Sequence, residues 1–215
     1  MMQLYGYFRS SAAYRVRIAL GLKGIDHEKA FIHLTRDGGQ QHQADYRKLN
    51  PLGVVPTLVH GETVLTQSLA ILEYLDETRP SPPLLPGDPI GRGRVRSLAL
   101  TIACDIHPLN NLRVLSYLTK DLGLSEADKL RWYRHWIAAG LGALEALLAD
   151  NPATGLFCHG DQPTLADICL VPQVYNARRF DCDLSGYPTV VSIAEACNQL
   201  PAFADAAPDR QPDAE

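Results

Sequence analysis

Pro80-Ser81-Pro82-Pro83-Leu84-Leu85-Pro86-Gly87-Asp88-Pro89-Ile90 separates two stretches of the chain with different hydrophobic periods. Five prolines in these eleven residues remove backbone N–H donors and forbid a continuing helix. The spacing predicts a linker over residues 81–90, with one domain over 1–80 and another over 91–215. A chain of 215 residues that is 46% hydrophobic can fill both cores.

Upstream of the linker, MQLYG (2–6) is a short strand, and SAAYRVRIALGL (11–22) carries apolar residues at helical spacing until Lys23-Gly24 ends it. KAFIHL (29–34) alternates as a second strand. Val55-Pro56-Thr57-Leu58-Val59 and Thr63-Val64-Leu65 flank a turn at Gly61 as a hairpin, and residues 67–78 follow as a helix. The order βαβ…ββα is that of a thioredoxin-like α/β domain. Downstream, residues 91–118, 125–149, 164–180 and 189–200 keep helical periodicity and no strand pattern, so the second domain is expected to be all-α. PDRQPDAE (208–215) reads as a polar tail. No internal repeat or low-complexity tract interrupts this order.

A formal net charge of -4 and a pI near 6.0 give no electrostatic basis for nucleic-acid binding, so an anionic ligand needs a local basic pocket. The five cysteines are an odd, scattered set without a CxxC pair or a histidine at zinc spacing. They read as reduced thiols, mostly packed as small apolar residues, and no metal site is expected. No apolar run approaches the ~18 residues of a membrane span, and no signal-peptide core precedes the first strand. A soluble cytoplasmic protein is the expectation. The first 80 residues contain no cysteine, which argues against disulfide exchange.

Arg9-Ser10-Ser11-Ala12-Ala13-Tyr14-Arg15 lies where the first strand turns into the first helix. A helix N-terminus and a serine hydroxyl there can stabilise a thiolate; equally, Ser10 or Ser11 can serve only as an N-cap. Pro56 fits either a cis bond that presents Val55 to an extended peptide or an ordinary edge-strand proline. Gln67-Ser68 opens a helix whose free amides can hold a carboxylate. Two anion-ready helix ends and a proline-marked strand together point to a peptide-like acidic ligand such as glutathione. Thr164-Leu165-Ala166-Asp167 has the spacing of a capping box, which favours a structural role for Asp167 over that of a catalytic acid.

The runs YFRSSAAYRVRIALGLKGID, DGGQQ, LNPLGVVPTL, QSLAILEYLDETRP and LADICLVPQVYNARRF resemble the zeta-class glutathione transferases, also called maleylacetoacetate isomerases. The resemblance extends from Gln3 to the closing RQPD. It implies the glutathione transferase fold, with a thioredoxin-like domain that binds glutathione, a helical domain that supplies the substrate pocket, and a homodimer. Carried onto this chain, it implies that Ser10, with Arg9 and Ser11 beside it, lies at the glutathione sulfur. Gln41 then reaches the glycine end, Val55 pairs with the cysteinyl backbone, and Gln67 with Ser68 holds the γ-glutamyl carboxylate.

The string CDIHPLNNLR (104–113) is closer to the bacterial maleylpyruvate isomerase branch. It implies Asp105 at the glutathione amino group of the neighbouring subunit, with His107, Asn111 and Arg113 lining the active site. Taken alone, His107 before proline reads first as a polar helix residue, and the resemblance reverses that preference. Arg9, Arg113 and Arg179 are implied as carboxylate donors to a diacid, because guanidinium offers bidentate geometry. Arg178 is left to the surface or to a gate, since helical neighbours point about 100° apart. The family signature SSC is broken by Ala12, which leaves no role for a thiol at that position. The implied activity is glutathione-dependent cis–trans isomerisation of maleylacetoacetate or maleylpyruvate. A conjugating transferase for halogenated acids and a non-catalytic glutathione-fold binding module are the alternatives.

Overall fold

The computed structural model describes all 215 residues and divides them into two compact units, Met1–Pro83 with Gln199–Glu215 and Leu84–Asn198.

The first unit is built on a four-stranded sheet of order β2-β1-β3-β4. β1 (Met2–Gly6) pairs in parallel with β2 (His27–Phe31) and antiparallel with β3 (Thr57–His60), which pairs antiparallel with β4 (Thr63–Thr66). The second strand was expected at 29–34, but the parallel register Met2↔His27 to Gly6↔Phe31 starts it two residues earlier. It ends where the Ile32 amide donates to Gly6 and the His33 amide turns to Oε1 of Gln40. α1 (Ser11–Leu22) joins β1 to β2 and is buried almost all round, Ala13 to Leu20 included. α2 (Ala44–Leu49), not foreseen in the sequence, sets the Tyr46 hydroxyl to donate to the Val54 carbonyl at 2.7 Å. α3 (Ser68–Thr78) buries Ile71, Leu72 and Leu75. Lys23, just past α1, donates to Asp76 at 2.9 Å and to the carbonyls of Arg79 and Pro82, which fixes the start of the linker.

The closing residues correct the expected 91–215 domain, because they fold back onto the first unit. Phe203 of α9 (Pro201–Ala204) is fully buried, and its carbonyl accepts from the Tyr14 hydroxyl. The PDRQPDAE tail is polar, yet it is tied down: Asp213 accepts from the Phe8 amide at 3.0 Å, and Glu215 meets His33. Arg17 donates to the carbonyls of Ala206 and Phe8 from a buried position that pulls its pKa down to about 10. Long-range bonds of this kind outweigh the tail's local polarity.

The second unit is all-α: α4 (Pro89–Leu100), α5 (Leu112–Lys120), α6 (Glu126–Leu148), α7 (Leu165–Arg179) and α8 (Pro188–Asn198). The linker ends sooner than expected, as Asp88 caps α4 through the Gly91 amide and Pro89 takes the first helical position. One helix over 91–118 was expected; the structure breaks it. After Leu100 the backbone widens into a π-helical turn over Thr101–Ile106 and tightens into a 3-10 turn over His107–Asn110. Pro108 has no N–H to continue the ladder, and Asn111 opens α5 as its N-cap by accepting from the Arg113 amide. The turn is pinned to α6, where Trp132 donates to the Leu109 carbonyl at 2.9 Å and Asn110 to the Tyr133 carbonyl. Gly140 of α6 faces it; a Cβ there would lie 2.2 Å from Ile106. α7 is buried along most of its length and starts at Thr164 with the expected capping box. No helix is long and apolar enough to cross a membrane.

Candidate active site

In the first unit, β1 ends at Gly6, and the chain runs through Tyr7, Phe8 and Arg9 to the start of α1. Ser10 caps that helix: its extended backbone (φ -69°, ψ 115°) lets Oγ accept from the Ala13 amide at 3.2 Å. This bond uses a lone pair and leaves the hydroxyl proton unspent. Ser10 is half-buried and Arg9 is exposed, its guanidinium 4.7 Å from the Phe8 ring centre. Ser11 is buried within the first turn of α1, so of the two serines Ser10 is the more accessible. Tyr7 is no substitute for it, since burial raises its phenol pKa despite the pull of Arg9. Ala12 is half-buried.

Val55 is joined to Pro56 by a cis bond, and its side chain packs with Tyr7, Phe8 and Tyr46. The β1–β3 register stops at Tyr5↔Thr57, which puts the Val55 backbone beyond the end of the ladder.

At α3 the residue before the helix is Gln67, held at φ 68°, ψ 117°, and it makes no side-chain cap. A non-glycine residue in that region costs on the order of 1–3 kcal/mol and persists where the surroundings demand it. The first-turn amides of α3 are therefore left without a side-chain acceptor, at a helix end that favours an anion. Ser68, first in the helix, is buried, and its Oγ accepts from Nη1 of Arg15 at 3.3 Å.

Gln41 turns inward. Its side-chain amide donates to the Leu34 carbonyl at 3.1 Å, while its Oε1 is buried without a partner. Gly39, at φ 97°, covers it, and a Cβ there would meet Nε2 at 2.5 Å.

In the second unit, the broken segment gathers the residues of the string 104–113. Asp105 is exposed on the π-helical turn, whereas His107 and Asn111 are half-buried with Nε2 and Nδ2 3.5 Å apart. Arg113 is exposed in the first turn of α5. The two arginines that end α7 separate as helical geometry requires: Arg178 pairs with Glu195 of α8 at 3.1 Å, and Arg179 lies 4.6 Å over the Phe180 ring. Phe180 stacks on Tyr133 at 3.9 Å, and burial pushes the Tyr133 phenol well up. Asp167, fully buried, accepts from the amides of Cys158 and Thr164 at 2.7 Å and from the Thr164 hydroxyl, the acceptor set of a structural cap. None of the five cysteines is in a disulfide, and no group of three or more His, Cys, Asp or Glu side chains is placed to hold a metal ion.

Comparisons with known proteins bear on the fold and the family. Residues 1–77 match the model of the glutathione S-transferase N-terminal domain, and residues 137–196 match that of the C-terminal domain. A probable maleylacetoacetate isomerase of Vibrio cholerae is 56% identical over 98% of this chain and 97% of its own length. The holo structure of a bacterial maleylpyruvate isomerase, described as a zeta-class glutathione transferase, superposes with a TM-score of 0.96 at 48% identity, covering 99% of this chain and 100% of the other. This chain belongs to the zeta-class glutathione transferases. A maleylacetoacetate isomerase of Methylobacterium extorquens, solved with malonate and glutathione bound, superposes with a TM-score of 0.95 at 47% identity over 99% of both chains.

Within this zeta-class chain, two residues escaped the reading of the sequence. Arg15 is 2% exposed, and two of its three guanidinium nitrogens have no partner. Asp213 holds the Phe8 amide two residues before Ser10 from 205 positions away. The signal for Arg15 was present, as two arginines at 15 and 17 interrupt an otherwise apolar helix; no local pattern marks Asp213.

Proposed function

We propose that this chain is a glutathione-dependent isomerase that converts a small cis-unsaturated diacid, of the maleylacetoacetate or maleylpyruvate type, into its trans isomer. The observation that carries the reading is the first unit's constellation in a chain so similar to isomerases of both names: a strand-to-helix turn whose N-cap serine keeps its proton, and a second helix end left without a cap. The residues present fit a γ-glutamyl peptide. Val55 offers backbone beyond the ladder end, Gln67 and Ser68 offer an uncapped helix start, and Gln41 underlies the turn at Gly39.

Bound glutathione supplies a thiolate that adds reversibly to the substrate double bond, so that rotation takes place about a single bond and elimination restores the alkene. Ser10 donates its free proton toward the sulfur position, and with the partial positive charge of the α1 N-terminus it lowers the thiol pKa. Arg9, Arg113 and Arg179 bind substrate carboxylates and stabilise enolate charge as it develops. His107 and Asn111 line the site, and Asp105 serves the glutathione amino group of the neighbouring subunit in a homodimer. Ala12 removes any step that requires a thiol from the protein at that position. A cytoplasmic location accords with five cysteines that form no disulfide.

The test is the ultraviolet decay of maleylpyruvate and of maleylacetoacetate, with and without glutathione, for the wild type, Ser10→Ala and Arg113→Ala. Glutathione-dependent loss of one diacid, slowed by both substitutions, supports the isomerase and names its substrate. No turnover of either, with glutathione binding intact, rejects it in favour of a conjugating enzyme or a binding module.

A further inference from the structure

We infer that Asp213 is a positioning residue for the reaction: by holding the Tyr7–Phe8 peptide in place, it sets where Ser10 presents its hydroxyl. The inference rests on the isomerase reading above, in which Ser10 donates toward the glutathione sulfur. Residues 7–10 lie between the end of β1 at Gly6 and the start of α1 at Ser11, so neither the sheet ladder nor the helix holds their backbone. Tyr7 and Phe8 are nonetheless buried, at 7% and 2% exposure, and their backbone groups need partners. The Tyr7 carbonyl accepts from the Ser10 amide at 3.0 Å, the Phe8 amide donates to Oδ2 of Asp213 at 3.0 Å, and the Phe8 carbonyl accepts from Nη2 of Arg17 at 3.0 Å.

The first two of these bonds belong to one rigid unit. The Tyr7 carbonyl and the Phe8 N–H are the two ends of a single peptide bond, which is planar and resists twisting. Asp213 holds the N–H end and Ser10 is bonded to the carbonyl end, so a tilt at Phe8 displaces the Ser10 amide and with it Oγ. The bond from Asp213 is charge-assisted, and so roughly twice as strong as one between neutral groups. Asp213 is itself fixed. The Ala214 amide donates to the Gln211 carbonyl at 3.0 Å, which places Pro212 and Asp213 at the centre of a turn. Gln211, buried, donates to the carbonyls of Asp205 and Ala207 and accepts from Lys29 of β2. Arg17 ties the same two segments together, since its Nε donates to the Ala206 carbonyl at 3.0 Å; the burial that lowers its pKa is opposed by the charge of Asp213. A carboxylate that served only to keep the closing residues on the fold had no need of this amide, the one that shares a peptide plane with the Ser10 contact.

The experiment follows the ultraviolet absorbance of the bound glutathione thiolate against pH, with kcat and KM for the cis diacid. The proteins are the wild type, Asp213→Ala, Asp213→Asn, Asp213→Glu, Ser10→Ala and the double variant Ser10→Ala/Asp213→Ala. Asp213→Ala raises the thiol pKa by about one, a tenfold smaller thiolate fraction below that pKa. At neutral pH kcat falls roughly threefold, because the more basic sulfur is also the stronger nucleophile and offsets part of the loss. The deficit disappears in alkaline solution, and KM stays within about twofold of the wild type. Asp213→Asn keeps an oxygen acceptor for the Phe8 amide and moves the pKa less than half as far. With Ser10 already replaced, Asp213→Ala adds no further shift, since a residue that acts through Ser10 has nothing left to position. Asp213→Glu keeps the charge beside Arg17 and displaces the acceptor by one methylene, so it raises the pKa even if the alanine variant fails to fold. A wild-type thiol pKa in every folded Asp213 variant, or a shift that adds in full to that of Ser10→Ala, overturns the proposal and leaves Asp213 as a tie for the closing residues. A wild type that shows no bound thiolate and turns over neither diacid overturns the isomerase reading and this one with it.

Discussion

Two helix starts in this molecule have opposite fates. At α7, Thr164 and Asp167 close a capping box, and Asp167 also takes the Cys158 amide; every polar atom of the turn finds its partner within the chain. At α3, Gln67 makes no cap, its backbone is left-handed, and a buried arginine beneath Ser68 keeps two nitrogens unpaired. α1 lies between these extremes, its first turn closed by Ser10 while the serine proton remains free. The difference separates structure from function. A helix end completed by its own side chains holds the fold together; on the function proposed above, one left incomplete receives the ligand.

Asp167→Ala gives the largest effect and sharpens the closed side of the comparison. It leaves the buried amides of Cys158 and Thr164 unpaired and lowers stability by roughly 2–4 kcal/mol in urea unfolding. The glutathione affinity of the folded protein stays at the wild-type value by calorimetry. An affinity loss as large as the stability loss would erase the distinction between the two ends.

Ser10→Ala tests the intermediate case, where one hydroxyl does two things. As a cap it contributes about 1 kcal/mol, read from the denaturation midpoint. As a donor to the thiolate it contributes at least about tenfold in turnover, with a higher thiol pKa in the pH–rate profile. A variant that loses stability and keeps both turnover and profile makes Ser10 a cap and nothing more.

Gln67→Gly relaxes the open end. Glycine accepts positive φ without the side-chain penalty, so the ligand-free protein gains up to about 1 kcal/mol while glutathione binds more weakly. Stabilisation measured by thermal unfolding, together with an unchanged Kd, would show that the strain serves no ligand. The smallest effect is expected of Ala12→Cys, which restores the usual family residue at a half-buried position: stability within about 0.5 kcal/mol of the wild type and an unchanged turnover rate.

Local chemistry was legible in the sequence, and long-range pairing was not. The capping box at Thr164, the hairpin around Gly61 and the Ser10 turn depend on residues three or four apart, so spacing identified them. β2 was displaced because a strand's limits are set by its neighbour's register. The break at 101–110 was hidden because Ile102 and Ile106 keep a helical spacing through the π-helical turn, and only Pro108 hinted at it. The tail was misassigned for the same reason: Asp213 and Gln211 look solvated until Phe8 and Lys29, about two hundred residues away, are brought to them. For the candidate site, the sequence supplied residue types on motifs. The inward turn of Gln41 and the unpaired state of Arg15 are properties of packing, and no spacing encodes them.

The most direct test of the account follows the cis diacid and the free thiol of glutathione together through one reaction, by proton NMR and thiol titration. The account predicts conversion to the trans diacid, absolutely dependent on glutathione, with the thiol concentration constant from start to finish. Consumption of one thiol per substrate without trans product would contradict it and make this chain a conjugating transferase.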